Sequence, residues 1–325
     1  MEFRKLGRTN LKVSALCMGT MQFGWTADEA TSLKVLSEAH DAGINFLDTA
    51  DIYSRWVDGN PGGVAEEIIG KWIKSASIQR ENLIIATKVR GQMSRDPADQ
   101  GLSRDHIFKS VDHSLHRLQT DYIDLYQSHW YDDNVPIEET LQAYDDLIQQ
   151  GKVRYIGCSN YPAWRFMQSL WAADRAGLAR YDTLQPHYNL VHRAEFEREL
   201  AEVCREYEIA VIPYSPLAGG FLTGKYQKNK PVPEDARGRA SQRIHGYFTE
   251  NNWQLLEKME AMGTEKGGYS ISQITLAWQL SNPLLTAPII GPKNLAQLED
   301  NLGAVNLRLT EPEMETLNQA SNWQN

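Results

Sequence analysis

From residue 15 onward the chain repeats one theme: a short apolar run, a polar or glycine-bearing junction, then a longer segment whose apolar residues recur at helical spacing. The runs fall at residues 15–18, 45–47, 83–87, 122–128, 153–157, 183–186, 210–213 and 287–290. They are short and mostly apolar, as strands buried on both faces must be. Helical spacing occupies residues 28–41, 64–74, 103–118, 137–149, 162–175, 196–208 and 271–280. Ser103 with His106 three residues on is a weak cap signal, whereas Pro162 soon after Asn160 fits an early-turn proline behind an N-cap. Strands that alternate with helices pair in parallel, and an eightfold alternation predicts a closed (β/α)8 TIM barrel. The competing doubly wound sheet usually carries a glycine-rich fingerprint after its first strand, and none follows residue 18.

Two stretches interrupt the alternation. Residues 228–245, rich in Pro, Arg and Gly, read as a long loop, and residues 252–266 as an extra helix, both between the seventh and eighth strands. A long loop in a compact domain is more often a functional lid than an accident. Residues 3–13 read as a small hairpin around Gly7-Arg8-Thr9-Asn10. A length of 325 residues suits one barrel or two smaller domains. No linker, charge block or solenoid repeat marks a boundary, so a single domain over residues 1–325 is expected.

Composition excludes several classes. Hydrophobic residues at 42% and charged residues at 23% supply a large core and argue against disorder. A net charge of -9 with scattered basic residues argues against a nucleic-acid partner. Cys17, Cys158 and Cys204 are odd in number and far apart, so buried free thiols are expected rather than disulfides or a thiolate metal site. His113 and His116 lack convincing ligand partners, which leaves an exposed helix face and no expected metal. The N-terminal stretch has no apolar signal core, and no segment approaches the roughly 20 apolar residues of a membrane helix, so a cytoplasmic, soluble protein without a membrane partner is expected.

Barrel active sites gather at the C-terminal ends of the strands. Four polar residues sit there: Asp48, Tyr53, Lys88 and His129. Singly, each has a plain reading as a cap, a packed ring, a solvated strand end or a satisfied histidine. Together their roles are complementary. A phenol with an ordinary pKa of about 10 is a poor acid, so an ammonium such as Lys88 is needed to stabilise the phenolate that Tyr53 becomes. Asp48 can hold that lysine, and His129 can hydrogen-bond a carbonyl oxygen undergoing reduction.

With Leu6-Gly7-Arg8-Thr9-Asn10-Leu11-Lys12-Val13-Ser14, Met18-Gly19-Thr20-Met21, Phe46-Leu47-Asp48-Thr49-Ala50, Thr87-Lys88, Ser128-His129-Trp130, Ile156-Gly157-Cys158-Ser159-Asn160, Gln185, Tyr188-Asn189, Tyr214-Ser215-Pro216-Leu217 and the segment Gly291 to Asn301, the chain resembles the aldo-keto reductase family over nearly its whole length. The resemblance implies a barrel with the N-terminal hairpin plugging one end, NADPH/NADP+ as cofactor, and Asp48, Tyr53, Lys88 and His129 as the catalytic tetrad. In such enzymes hydride passes from nicotinamide C4 to the carbonyl carbon while the tyrosine gives its proton to the oxygen.

The cofactor positions follow from the same resemblance. Gly19, Thr20, Met21 and Asp48 would lie at the first two strand ends. Ser159, Asn160 and Gln185 match the carboxamide-binding residues, and Tyr214 the ring that stacks on the nicotinamide. Ser215, Pro216, Leu217, Gly219, Lys225 and Arg239, with Gly291, Lys293, Gln297, Asp300 and Asn301, would wrap the pyrophosphate and adenosine. Lys293 and Arg239 favour a 2'-phosphate, hence NADPH over NADH. The spacing from Gly219 to Gly224-Lys225 mimics a nucleotide-binding P-loop, but Tyr226 replaces the hydroxyl residue that would hold magnesium.

Trp25, Trp56 and Trp130 are candidates for an aromatic wall around a small-molecule carbonyl substrate. Two other functions remain open: an NAD(P)+-dependent dehydrogenase of sugars or alcohols running the same chemistry in reverse, and a cofactor-binding regulatory subunit. Neither the substrate nor the oligomeric state is encoded in any readable motif.

Overall fold

Inside the eight central strands, alternate side chains divide between two apolar cores. The computed structural model describes residues 1–94, 96, 99–234, 236 and 242–324, without the side chain of Arg243. The strands are β3 (Cys17–Gly19), β4 (Phe46–Asp48), β5 (Ile84–Val89), β6 (Ile123–Ser128), β7 (Val153–Ser159), β8 (Thr183–Gln185), β9 (Ala210–Val211) and β10 (Ile289–Ile290). They pair in parallel in the order β10-β3-β4-β5-β6-β7-β8-β9. Thr286 N donates to Val211 O at 2.8 Å and Ile289 N to Pro213 O at 2.9 Å, joining β9 to the approach of β10 and closing the (β/α)8 barrel.

Strand periodicity explains what lies within. Cys17, Phe46, Ile84, Ala86, Leu125, Ala210 and Ile289 form the interior cluster, while Met18, Leu47, Ile85, Tyr126 and Leu184 belong to the outer core beneath the helices. The hairpin of β1 (Phe3–Lys5) and β2 (Lys12–Ser14) contributes Leu6, Leu11 and Val13 to the interior cluster. At its turn, Gly7 has φ +55°, and a side chain there would lie 2.9 Å from Glu208 O and 3.2 Å from Asp182 O. The hairpin therefore plugs the end where β8 and β9 begin, opposite the end where the strands deliver their polar residues.

The helices are α1 (Glu29–Asp41), α2 (Val64–Ser75), α3 (Arg104–Leu118), α4 (Ile137–Gln149), α5 (Ala163–Ala176), α6 (Ala201–Glu206), α7 (Gln242–His245), α8 (Glu250–Glu265), α9 (Ile271–Ser281), α10 (Leu295–Gly303) and α11 (Glu311–Ala320). Ser103 does cap α3, accepting from His106 N at 3.4 Å. The segment expected as one helix over 196–208 begins as a π turn, Phe196–Leu200, before α6. α7, which falls inside the expected loop, α10 and α11 are additions to the sequence reading. Of the expected lid at 228–245, residues 235, 237–241 and the Arg243 side chain lie outside the described residues. The three cysteines are buried and unbridged, and His113 and His116 are exposed on α3. Among the described residues no helix is long and apolar enough to cross a membrane.

Candidate active site

The alternation that fills the barrel with apolar residues ends on polar ones. Phe46 leads to Asp48, Ile84 and Ala86 to Lys88, and Leu125 to Gln127 and then His129, each two residues farther along an inward-facing column. Lys88 stands at the centre, fully buried. Its ammonium reaches Asp48 Oδ2 at 2.6 Å, Thr49 O at 2.8 Å and the Tyr53 hydroxyl at 3.1 Å. Three acceptors for three hydrogens satisfy an ion that would otherwise be costly to bury. The other Asp48 oxygen accepts from Gln185 Nε2 at 2.8 Å and Gln127 Nε2 at 3.3 Å.

The turn from Asp48 to Tyr53 is tied back to β5: Thr49 N donates to Ala86 O and Asp51 N to Lys88 O. Tyr53 is thereby held over Lys88, and its ring lies 6.0 Å from that of His129. Burial works to discharge Lys88, but the neighbouring Asp48 outweighs it, with help from Tyr53, and the ammonium is held above its ordinary range. Burial also dominates at Tyr53; together with Asp48 it overcomes the pull of Lys88 and raises the phenol above its usual 10.0. The sequence expectation stressed the lysine as stabiliser of a phenolate, yet the resting group is firmly a phenol. His129 is pushed well below its ordinary 6.5 by burial, then by Lys88 and Arg90, and is neutral.

Beside the tetrad runs a chain of hydrogen bonds through residues expected at the cofactor. Ser159 Oγ donates to Gln185 O at 2.8 Å, Asn160 Nδ2 to His129 O at 2.9 Å, and the Tyr214 hydroxyl to Asn160 Oδ1 at 2.9 Å. Asn160 adopts φ +58°, which turns its amide back across the strand ends. Behind Tyr214, His187 stacks at 5.0 Å and 11°. Thr20 anchors β3 to β4, its N and Oγ1 both donating to Asp48 O at 3.0 Å. Gly19 is packed so tightly that a Cβ would fall 2.6 Å from Ile289 Cγ2, and Met21 is partly buried nearby in sequence.

The remaining expected positions divide. Ser215, Ala218, Gly219 and Gly220 have φ of +55°, +49°, +65° and +100°, in a tight turn held by Ala218 N donating to Ser215 O and Gly220 N to Leu217 O. Lys225 folds over this turn, its Nζ 3.1 Å from where a Gly220 Cβ would be. Pro216 O accepts from Gln279, and Leu217 packs on the core. A Cβ on Gly291 would meet open space. Lys293 and Gln297 lie at the start of α10, where Asn294 caps by accepting from Gln297 N at 2.9 Å; a helix N-terminus favours anions. Asp300 accepts from Ser270 Oγ at 2.6 Å, and Asn301 is buried. Arg239 lies outside the described residues. The helix N-terminus with Lys293, and Lys225 over the 215–224 turn, fit a phosphate-bearing dinucleotide.

The aldo/keto reductase family profile matches residues 15–322. The chain belongs to the aldo/keto reductase family. Among similar curated proteins, the uncharacterized oxidoreductase YrpG of Bacillus subtilis (strain 168) is 40% identical, covering 98% of this chain and 95% of its own. Versiconal hemiacetal acetate reductase of Aspergillus parasiticus is 33% identical over 98% and 96%. A protein of Arabidopsis thaliana named a probable voltage-gated potassium channel subunit beta is 33% identical over 94% and 92%.

Of the three tryptophans expected around this aldo/keto reductase site, Trp56 and Trp130 lie against Tyr53 and His129, and Trp25 reaches them only through Trp56. Trp25 and Trp56 form an edge-on pair at 5.6 Å, Trp56 lies 6.2 Å from Tyr53, and His129 lies 4.8 Å from Trp130. Trp25 and Trp56 remain 37% and 47% exposed, so much of their area is open to another molecule. Gln127 was missed in sequence. The signal was there: an amide two residues before His129 on a buried strand shares its inward face and must find a polar partner.

Proposed function

We propose that this chain, as one catalytic unit over residues 1–325, is an NADPH-dependent reductase of aldehydes or ketones in which Tyr53 is the general acid. The observation that carries the reading is the 3.1 Å contact from Lys88 Nζ to the Tyr53 hydroxyl, with the other two ammonium hydrogens taken by Asp48 and Thr49 O. When bound, the reduced nicotinamide supplies the hydride. Tyr53 gives its proton to the carbonyl oxygen, and Lys88, already charged, sits against the phenolate that results. Asp48 keeps the lysine in place, while neutral His129 hydrogen-bonds the same oxygen. Ser159, Asn160 and Gln185 orient the carboxamide, and Tyr214, backed by His187, supports the ring. The 215–225 turn with Lys225 holds the pyrophosphate, and Lys293 and Arg239 the 2'-phosphate. The cytoplasm, where NADPH is kept reduced, suits this chemistry.

A cofactor-holding regulatory subunit is the second reading, favoured by the likeness to the Arabidopsis protein. NADPH oxidation in the presence of 4-nitrobenzaldehyde separates the two. Turnover supports the reductase; tight NADPH binding without turnover of any carbonyl in a broad panel contradicts it.

Two further outcomes follow. Because Tyr53 is raised above 10.0 and must be protonated to act, its loss of activity begins only in strongly alkaline solution. Because His129 is depressed far below 6.5, it stays neutral as pH falls through the ordinary histidine range. A kcat/KM profile that is flat from about pH 6 to about pH 9 is expected, and a histidine-like inflection near neutrality would contradict it. Lys293→Ala and Arg239→Ala are each expected to weaken NADPH binding by about tenfold, the scale of a charge-assisted hydrogen bond, with NADH little affected. Equal affinity of the parent protein for the two cofactors would count against the assignment.

A further inference from the structure

Arg90 is the cation at this site that nothing above employs. It follows Lys88 by two residues, just beyond the end of β5, at the mouth where His129 N donates to Val89 O at 2.9 Å. Its backbone has φ +131°, a conformation side-chain-bearing residues avoid. The next residue, Gly91, passes so close to Ile52 that a Cβ there would lie 2.5 Å from Ile52 Cδ1. Such strain persists only where the surrounding structure enforces it, and it gathers at ligand-binding positions.

The side chain is equally unusual. Arg90 Nε is buried with no hydrogen-bond partner, and among the described residues the guanidinium forms no ion pair; its Cζ lies over the Trp130 ring, 4.9 Å from the centroid. Of the carboxylates in neighbouring segments, Asp99 is taken by Lys109 and Asp132 by the backbone of Leu102 and Asn134, while Asp51, buried without a hydrogen-bond partner, has Glu66, Arg117 and Lys88 as its charged neighbours. Nδ1 of His129, which packs on the same tryptophan, is also buried and unpartnered. The sheet order places β5 three strands from β8 and four from β9, the strands that lead to Gln185 and Tyr214.

We infer that Arg90, seated on Trp130 beside the tetrad, recognises a carboxylate on the substrate, so that the favoured substrates are carbonyl compounds carrying an anionic group. A single unpaired cation matches a monoanion better than a phosphate dianion, because Lys88 is committed to Asp48. The exposed Trp25 and Trp56, set edge-on to each other, provide an aromatic corner for the body of such a molecule. This rests on the reductase reading for the reaction but not for the binding.

The test has two arms. In the first, kcat/KM is compared for 4-carboxybenzaldehyde and 4-methylbenzaldehyde. The parent protein is expected to prefer the acid by about 30-fold, the scale of hydrogen bonds to a charged group, and Arg90→Met to bring the ratio near one, with Arg90→Lys between. A parent ratio near one, or a uniform loss in Arg90→Met that preserves the ratio, overturns the proposal. In the second arm, tryptophan fluorescence follows benzoate and neutral benzamide binding to the parent protein without any turnover. Saturable quenching by benzoate but not benzamide supports the carboxylate site even if no aldehyde is reduced, which would sink the reductase reading alone; equal response to both overturns the site.

Discussion

Tyr53→Phe is expected to lower kcat by about two to four orders of magnitude while leaving the NADPH dissociation constant nearly unchanged, since a positioned general acid contributes that much. The substitution removes one oxygen. The ring keeps its place among Trp56 and His129, and the cofactor segments at β7 to β10 do not touch the missing hydroxyl. What is lost is the proton donor, along with one of the three acceptors around Lys88. The rate and the binding constant must therefore part company. Parallel stopped-flow turnover and fluorescence titration would check this; a parent-like rate in Tyr53→Phe would remove the residue from the reaction, and a large loss of NADPH affinity would make it a binding residue instead.

Lys88→Met should act on stability as well as on rate. Removing the ammonium leaves the Asp48 carboxylate buried with only Gln127 and Gln185 as donors. Breaking a buried pair from one side typically costs about 3–5 kcal/mol. Combining Lys88→Met with Asp48→Asn removes the stranded charge, so the double variant is expected to regain much of that stability in denaturant titration. Activity should not return with it, because no cation remains beside Tyr53. This dissociation of folding from rate is the informative result. If the single variant is as stable as the parent protein, Asp48 and Lys88 are not the desolvated pair described above.

Much of this was legible in the sequence because strands obey a period of two. The apolar runs located all eight strands, and the same period that sends Phe46 and Ile84 inward sends Asp48 and Lys88 after them. Two things escaped. Which partner a polar side chain takes depends on distant residues: Asp300, expected at the adenosine, is bound by Ser270 at the head of α9, and Gln127 joins Asp48 across the barrel. Net electrostatics also escaped, because the ammonium beside Tyr53 could be read from the sequence, but the burial that outweighs it could not. α11 was a different kind of miss. Thr310-Glu311-Pro312-Glu313 spells a capping box with an early proline, and the box is formed, Glu313 accepting from Thr310 N at 2.6 Å.

The most direct measurement supplies NADPH carrying deuterium at both C4 positions of the nicotinamide together with 4-nitrobenzaldehyde and weighs the products by mass spectrometry. If the site works as proposed, the alcohol carries one deuterium on its carbinol carbon, and its yield collapses in Tyr53→Phe although the cofactor remains bound. Bound NADPH that is never consumed, or an alcohol free of the label, would contradict hydride transfer at Tyr53 and Lys88.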